Sequence, residues 1–169
     1  MTSLLRMVGG SRTAVVVGLA LLAAACAKNP MDGRAGAGGM GQLGSAPPGS
    51  QQEFVVSVGD RVFFTTDQTD LSPEARATLD KQAQWLGQYN RYTFTIEGHA
   101  DERGTREYNI ALGARRAQNV KDYLVSRGID ASRMRTISYG KERPVAVCDD
   151  ISCWSQNRRA VTVLNNPGS

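Results

Sequence analysis

The sequence has 169 residues, enough for about one folded domain, and its apolar fraction of 41% and charged fraction of 21% exclude a wholly disordered chain. The net charge is +4, and setting aside Arg6 and Arg12 of the N-terminal segment leaves 18 basic against 16 acidic side chains, too small an excess to predict nucleic acid as a partner. One histidine and three cysteines do not make a two-histidine metal site or a structural zinc site, so we expect neither a metal nor a cofactor.

Residues 1–25 are predicted to form a secretory signal peptide. Two arginines and no acidic residue precede an apolar run over 14–25, which at about twelve residues is shorter than the roughly twenty that span a bilayer. Three alanines end the run and Cys26 follows, an arrangement that resembles a bacterial lipobox, in which the cysteine is lipidated and becomes the new N-terminus. A plain signal peptide with an incidental Cys26 is the alternative. By the same resemblance, Ala27 favours the outer membrane over the inner one.

Residues 26–52 are expected to form the lipidated cysteine and a flexible linker behind it. The segment has seven glycines and three prolines, and its sizeable apolar residues are Met31, Met40 and Leu43. Such a segment cannot bury enough surface to offset the entropy of ordering it. About 25 residues of this kind reach roughly 25–30 Å, so the folded part would work a short distance from a membrane.

Residues 53–169 are expected to form the folded domain. Strand-forming side chains over 54–58 and 61–64 predict two strands. Ser72-Pro73-Glu74 is typical of a helix start, with a capping hydroxyl, a proline at the first position and an acid in the first turn. The apolar positions of that helix follow helical spacing and are Ala75, Leu79, Ala83 and Leu86.

The second half of the domain continues the alternation. It predicts a strand over 92–97, a helical region over 106–127 that stops at Gly128, and two strands over 134–139 and 159–164. The order β-β-α-β-α-β predicts an α+β fold, a two-layer α/β sandwich with the helices packed on one side of a mixed sheet.

The second helical region also has a predicted break. Its expected core-facing stripe is Ile110, Ala114, Ala117, Val120 and Leu124. Asn109, Leu112 and Arg116 then lie on a neighbouring face beside the core. Gly113 is a poor residue for a helix interior, so we expect a short helix to Leu112 and a longer one that restarts at Gly113. Arg116 would fall in the first turn of the second helix, where unpaired backbone N–H groups point outward. With Asp101 in the loop after the strand over 92–97, these groups predict a receptor for a zwitterionic ligand.

One block of the sequence identifies a family. It reads Gly98-His99-Ala100-Asp101-Glu102-Arg103-Gly104-Thr105 and continues from Asn109 with the spacing N-x-x-L-[SG]-x-x-R-A-x-x-V-x-x-x-L. This block strongly resembles the OmpA-like peptidoglycan-binding domain. Residues 138–144 and 157–161, together with the lipobox and the linker, extend the resemblance to the lipoproteins of the Tol–Pal system that carry such a domain.

The resemblance implies a ligand and assigns a role to each charge. The meso-diaminopimelate of a peptidoglycan stem peptide carries an ammonium and a carboxylate on one carbon, so Asp101 would receive the ammonium and Arg116 would hold the carboxylate. The further peptidoglycan-binding positions are Asn109, Leu112, His99, Thr65 and Arg158. From the residues alone, the alternative is that Asp101 and Arg116 pair with each other or cap helices. Because both lie off the predicted core stripe, we expect their substitution to affect binding more than folding.

Three of these positions carry separate expectations. Thr65 stands where the family has an aspartate, so a charged contact at the pocket rim would be missing or replaced by a hydroxyl. No nucleophile motif accompanies His99, which favours a structural or pocket-lining histidine and a protein that is not an enzyme. Arg158 and Arg159 open the last strand, so one should point inward and the other outward. The family places this pair near the ligand carboxylate.

Cys148 and Cys153 lie in a segment of turn-favouring residues. An exported chain matures in an oxidising compartment, so we expect a local disulfide, with two reduced thiols as the alternative. Such a short loop removes little chain entropy, so its contribution to stability should be modest.

The resemblance implies a non-enzymatic tether between the outer membrane and the cell wall. The domain would face the periplasm, bind diaminopimelate-containing stem peptides of peptidoglycan, and bind TolB and other Tol proteins through an overlapping surface. In that role it would help to draw the outer membrane inward during cell division. Two alternatives stay open: an OmpA-like wall-anchoring lipoprotein outside the Tol system and, against the absence of a catalytic motif, a cell-wall hydrolase.

Overall fold

The structure, a computed structural model, describes residues 46–165. The predicted signal peptide, Cys26 and most of the predicted linker lie outside the described residues. Residues 47–52, which the sequence assigns to the linker, belong to the folded part. The buried Gly49 accepts hydrogen bonds through its carbonyl from Tyr92 Oη at 2.8 Å and from Arg91 Nη2 at 2.7 Å. The folded part therefore begins before residue 53, because side chains of the domain bind this backbone.

One four-stranded sheet organises the domain. The elements in chain order are α1 (Gln51–Glu53, continuing as a π-helix over Phe54–Gly59), β1 (Arg61–Phe63), α2 (Pro73–Gln88), β2 (Phe94–His99), α3 (Arg106–Ser126), a 3-10 helix (Ala131–Arg133), β3 (Met134–Gly140), α4 (Ile151–Asn157) and β4 (Arg159–Leu164). The sheet order is β1-β4-β2-β3, with β2 parallel to β3 and the other two pairings antiparallel. Helices α2 and α3 pack on this sheet around the core, which confirms the predicted α+β two-layer sandwich.

The predicted start and core face of α2 are confirmed. The Ser72 hydroxyl accepts a hydrogen bond from the Ala75 amide at 3.2 Å, and Pro73 occupies the first turn. All four predicted apolar positions of this helix are buried. The core that they join also includes Phe94 and Ile96 of β2, both without solvent exposure.

The predicted strand over 54–58 is wrong, because this segment forms the π-helix. A strand would place Phe54, Val56 and Val58 on one face, whereas the structure buries Phe54 and leaves Val56 70% exposed. The Phe54 ring packs on Trp85 of α2 at 4.9 Å between centroids, and the Gly59 carbonyl accepts a hydrogen bond from Gln82 at 2.6 Å. Contacts with α2 thus override the strand propensity of the segment.

The predicted break at Gly113 is also wrong, because α3 is one continuous helix. Gly113 is needed for close approach to the sheet: a Cβ there would lie 2.8 Å from the Gly98 carbonyl oxygen of β2, and a Cβ on Gly98 would collide with the Gly113 backbone. Helix and strand therefore touch backbone to backbone at this point. The helix end is as predicted, with Gly128 following at a φ of +90°.

The buried face of α3 is rotated from the predicted stripe. Ala114 is exposed and Ile110 only partly buried, while Ala117, Val120 and Leu124 are buried as predicted. The buried face instead includes Asn109, Leu112 and Arg116, the three residues that the sequence pattern predicts beside the core. An arginine and an asparagine thus occupy positions that a search for apolar periodicity passes over.

Within residues 46–165, no helix is both long enough and apolar enough to cross a membrane.

Candidate functional site

The loop after β2 brings the predicted site residues together. It leaves the sheet at Ala100, whose amide donates to the Gly140 carbonyl at 2.8 Å, and it ends at Thr105, whose hydroxyl caps α3. Gly104 turns the chain at a φ of +82°, a region that favours glycine. Asp101 therefore lies between the end of β2 and the start of α3.

Asp101 is 7% exposed and is held by two arginines. Arg103 donates to both carboxylate oxygens, at 2.7 Å from Nη2 and 3.3 Å from Nε, and its backbone amide donates at 3.2 Å. Arg158 donates from Nη1 at 3.2 Å. Burial raises the pKa of Asp101, but these hydrogen bonds outweigh that effect and hold the pKa below its ordinary value. The carboxylate is therefore charged at neutral pH.

Arg116 has no solvent exposure and binds three backbone carbonyls. Nε donates to the Gln68 oxygen at 2.9 Å, Nη1 to the His99 oxygen at 2.8 Å and Nη2 to the Thr65 oxygen at 3.1 Å. The side chain thus joins α3 to the loop after β1 and to the end of β2. The expectation that this arginine lies off the core, in the first turn of a new helix, is wrong.

Arg116 is both repelled and attracted by the charges around it. Burial and repulsion from Arg158 lower the pKa of Arg116 to about 10, against an opposing attraction from Asp101. The guanidinium stays charged at neutral pH, and no direct hydrogen bond or ion pair joins it to Asp101 among the described residues. The predicted alternative of a simple Asp101–Arg116 pair is therefore not what the structure has. Asp101 instead pairs with Arg103 and Arg158, while Asp101 and Asp67 both attract Arg116.

Asn109 and Leu112 shape the site from α3. The Asn109 side-chain amide donates to the Arg103 carbonyl at 2.6 Å and to the Thr105 carbonyl at 3.1 Å, so it fixes the curve of the loop that carries Asp101. Leu112, 3% exposed, belongs to the buried face of the same helix. Asn109 therefore holds the loop in place, and Leu112 contributes to the buried face of α3.

Thr65 and Arg158 lie on the β1 and β4 side of the site. Thr65 presents its carbonyl to Arg116, and it lines a groove of about 720 Å³ between the loop after β1 and α4. Arg158 also donates from Nε to the Phe64 carbonyl at 3.0 Å. Its neighbour Arg159 instead donates to the Arg143 and Asn157 carbonyls. Both arginines are buried, so the prediction that one of them points outward is wrong, although their side chains contact different segments.

His99 contributes its backbone to the site and buries its ring elsewhere. The carbonyl accepts from Arg116, while the ring is 2% exposed and lies 5.6 Å from the Tyr139 ring. Neither ring nitrogen has a hydrogen-bond partner among the described residues, and the nearest carboxylate, Glu97, is 3.6 Å from Nε2. Burial and the nearby Arg159 and Arg143 lower the pKa of His99 to about 4. The ring is therefore neutral at physiological pH, so the Glu97 contact is not an ion pair.

Sequence reasoning gave no role to Arg103 and Trp154. The Arg103 guanidinium lies 4.3 Å from the centroid of the Trp154 indole, and the indole N–H donates to the Glu102 carboxylate. A role for Glu102 and Arg103 could have been inferred, because both belong to the block that resembles the family. The position of Trp154 could not, because the short helix α4 that carries it is not predicted from the sequence.

A disulfide joins Cys148 and Cys153 directly before Trp154, with 5.6 Å between their Cα atoms. Cys153 is buried and belongs to the first turns of α4, whose start is capped by the Asp150 carboxylate. Within residues 46–165, no group of three or more histidine, cysteine or acidic side chains could hold a metal ion.

Comparison with known proteins places this geometry in a family. Residues 63–158 match the model of the OmpA family. A peptidoglycan-associated lipoprotein of Rhizobium meliloti (strain 1021) is 67% identical over 156 residues, 92% of this chain and 88% of that protein. Another, from Brucella melitensis biotype 1, is 56% identical over 165 residues, 97% of this chain and 98% of that protein.

Solved structures give the same fold. The peptidoglycan-associated lipoprotein from Burkholderia pseudomallei is 38% identical with a TM-score of 0.63, over 66% of this chain and 96% of that one. The C-terminal domain of Helicobacter pylori MotB is 19% identical with a TM-score of 0.60, over 64% of this chain and 86% of that one. The second similarity concerns the fold alone.

Proposed function

The chain belongs to the OmpA family and, within it, groups with the peptidoglycan-associated lipoproteins, and we propose that its domain binds the diaminopimelate-containing stem peptides of peptidoglycan. The relatives are named for their association with peptidoglycan. The observation that carries the proposal is that a charged carboxylate, Asp101, and a charged guanidinium, Arg116, lie close enough to attract each other while no hydrogen bond joins them.

Burial and repulsion from Arg158 both disfavour the charged Arg116 guanidinium, and an anion beside it would offset part of that cost. Arg116 carries five N–H hydrogens and uses three of them on backbone carbonyls. Because the side chain has no solvent exposure, a ligand carboxylate would reach the other two only after the segment that covers them moves aside. Arg158, which repels Arg116, would be stabilised by the same anion. The fixed, planar guanidinium of Arg116 favours a two-point contact with a carboxylate.

The ammonium of the ligand needs the opposite charge nearby. Asp101 is charged at neutral pH, and Arg103, one of its two partners, has a side chain that is 41% exposed. An incoming ammonium can therefore share the carboxylate with Arg103, while Arg158 keeps the buried side of Asp101 in place. An ammonium and a carboxylate on one carbon fit this arrangement better than either charge alone.

The rest of the proposal concerns how the domain is held. Cys26 would be lipidated and anchored in the outer membrane after removal of residues 1–25, with the segment up to residue 45 reaching from that membrane to a periplasmic domain. The domain would also bind TolB and other Tol proteins and serve in drawing the outer membrane inward at division. The proposed role is non-catalytic, and the buried, neutral ring of His99 is a structural residue in it.

Two stem tripeptides that differ by one group test the ligand. L-Ala-γ-D-Glu-meso-diaminopimelate and the same peptide ending in L-lysine share the side-chain ammonium, but the lysine peptide lacks the side-chain carboxylate. We expect the diaminopimelate peptide to bind the full chain and to compete with purified sacculi, and the lysine peptide to bind at least tenfold more weakly because Arg116 has no partner. Equal binding of the two peptides would contradict the assignment of Arg116, and sacculus binding that neither peptide competes would contradict the ligand.

A further inference from the structure

Trp154 lies next to the proposed ligand site although no family motif contains it. Its indole face stacks on the Arg103 guanidinium at 4.3 Å, and its N–H donates to the Glu102 carboxylate. Glu102 and Arg103 directly follow Asp101 in the chain, so one aromatic side chain binds both of its neighbours. Stacking of this kind restrains an arginine that would otherwise sample many rotamers.

Arg103 passes this restraint on to Asp101. Its guanidinium spans both carboxylate oxygens of Asp101, and its carbonyl accepts from Asn109 of α3. An ion pair with one partly exposed member is usually weak, because holding a long side chain in one geometry costs entropy. Stacking on Trp154 already restricts the rotamers of Arg103, so less entropy is lost when Arg103 binds Asp101. The restrained guanidinium in turn fixes the direction in which the Asp101 oxygens point.

Trp154 is itself held by a short, cross-linked helix. A helix of seven residues is marginal alone. The Cys148–Cys153 disulfide ties the loop before the helix to its first turn, and the Asp150 carboxylate accepts from the Ser152 amide at 2.7 Å. At the other end, the Asn157 side chain accepts from the Val145 and Ala146 amides and donates to the Ala146 carbonyl.

We propose that Trp154 is a positioning residue for the diaminopimelate site, and that the Cys148–Cys153 disulfide sets its position. The inference rests on the proposed function. It adds that ligand affinity depends on the Cys148–Cys153 disulfide, which lies outside the loop that carries Asp101. In the ligand-free site, Trp154 holds Arg103 and Glu102, and through them the Asp101 carboxylate, in the arrangement that receives the ammonium.

Three variants of the full chain in detergent test the tryptophan, with the diaminopimelate tripeptide as probe. W154A should bind about three- to tenfold more weakly than the wild type, the effect of losing one cation–π contact and one hydrogen bond to a charged group. W154F should lie in between, because its ring keeps the stacking but has no N–H. I151A changes an exposed residue of the same helix and should bind normally. Thermal unfolding of each variant separates lost positioning from lost folding.

Reduction tests the disulfide. A dithiol reductant is oxidised to its own disulfide while Cys148 and Cys153 each gain one electron and one proton as thiols. Reduction should weaken tripeptide binding of the wild type severalfold and have no further effect on W154A. The fluorescence of Trp154 is obtained by subtracting the emission of W154F, which retains Trp85, from that of the wild type, and this difference should change on reduction. The C148S/C153S double variant should behave as the reduced wild type.

The outcomes separate the two proposals. If the wild type does not bind the tripeptide, the proposed function fails. If the wild type binds and W154A, with an unchanged melting temperature, binds equally well, only the role of Trp154 is overturned. If reduction weakens the wild type and W154A by the same factor, the disulfide does not act through Trp154 and that part of the proposal is overturned.

Discussion

Arg116→Ala should destabilise the domain strongly, in contrast to the expectation from sequence that this residue matters little for folding. The side chain has no solvent exposure and donates one hydrogen bond to each of three carbonyls, those of Thr65, Gln68 and His99. A buried acceptor that loses its donor costs about 1–3 kcal/mol. Two of the three bonds are only partly buried, so water can replace some of the loss. Relief of the repulsion from Arg158 offsets a further part.

The sum of these terms is a loss of about 3–5 kcal/mol in the free energy of unfolding, a large part of the 5–15 kcal/mol typical of a domain. Urea unfolding followed by circular dichroism measures it. Arg115→Ala is the matched control, because Arg115 is the exposed neighbour on the same helix and should change stability by less than about 0.5 kcal/mol. A value for Arg116→Ala within 1 kcal/mol of the Arg115→Ala value would refute the reasoning that this arginine holds three segments together.

Three further predictions concern other groups. The pKa of His99 is about 4 in the folded state and 6.5 in the unfolded state, so the unfolded state binds more protons between these pH values. The contribution of His99 to stability should therefore fall by about 3 kcal/mol as the pH drops from about 6.5 to 4, and it should be constant above pH 6.5. This part of the pH profile should vanish in His99→Gln, and an unchanged profile in that variant would contradict the prediction. Cys26→Ser should release the chain from membranes, and an unmodified N-terminus in mass spectra of the wild type would contradict lipidation. Alkylation without reduction should label neither Cys148 nor Cys153, whereas quantitative labelling of both would mean that the bridge is absent in the native protein.

The elements with local signals were predictable from the sequence. The start of α2 follows from Ser72 and Pro73, which act within one turn, and the end of α3 follows from Gly128, whose φ of +90° few other residues adopt. The strand predicted over 54–58 failed for the opposite reason. Its π-helix depends on contacts between Phe54 and Trp85, 31 positions apart, which no local propensity encodes.

The face of α3 could not be predicted from apolar spacing alone. Gly113 was interpreted as a helix break, because its requirement for close contact with Gly98 becomes visible only when helix and strand are packed together. Helical spacing predicts that Arg116 lies on a face beside the core, and an arginine is rarely fully buried. The resemblance to the family assigns this residue to the proposed site, but it does not indicate that the residue supports the fold.

The structural role of Arg116 and the role in binding that we propose for it are compatible. A guanidinium on a mobile surface chain loses rotamer entropy when it binds a carboxylate, whereas one that is already fixed by three carbonyls loses little. The free-energy cost of ordering and desolvating this guanidinium, and of its repulsion from Arg158, is already included in the folding of the domain. A ligand anion would then relieve that repulsion at the moment of binding. For this reason the most informative comparison changes the ligand and keeps the protein constant, since any substitution of Arg116 alters the site and the fold at the same time.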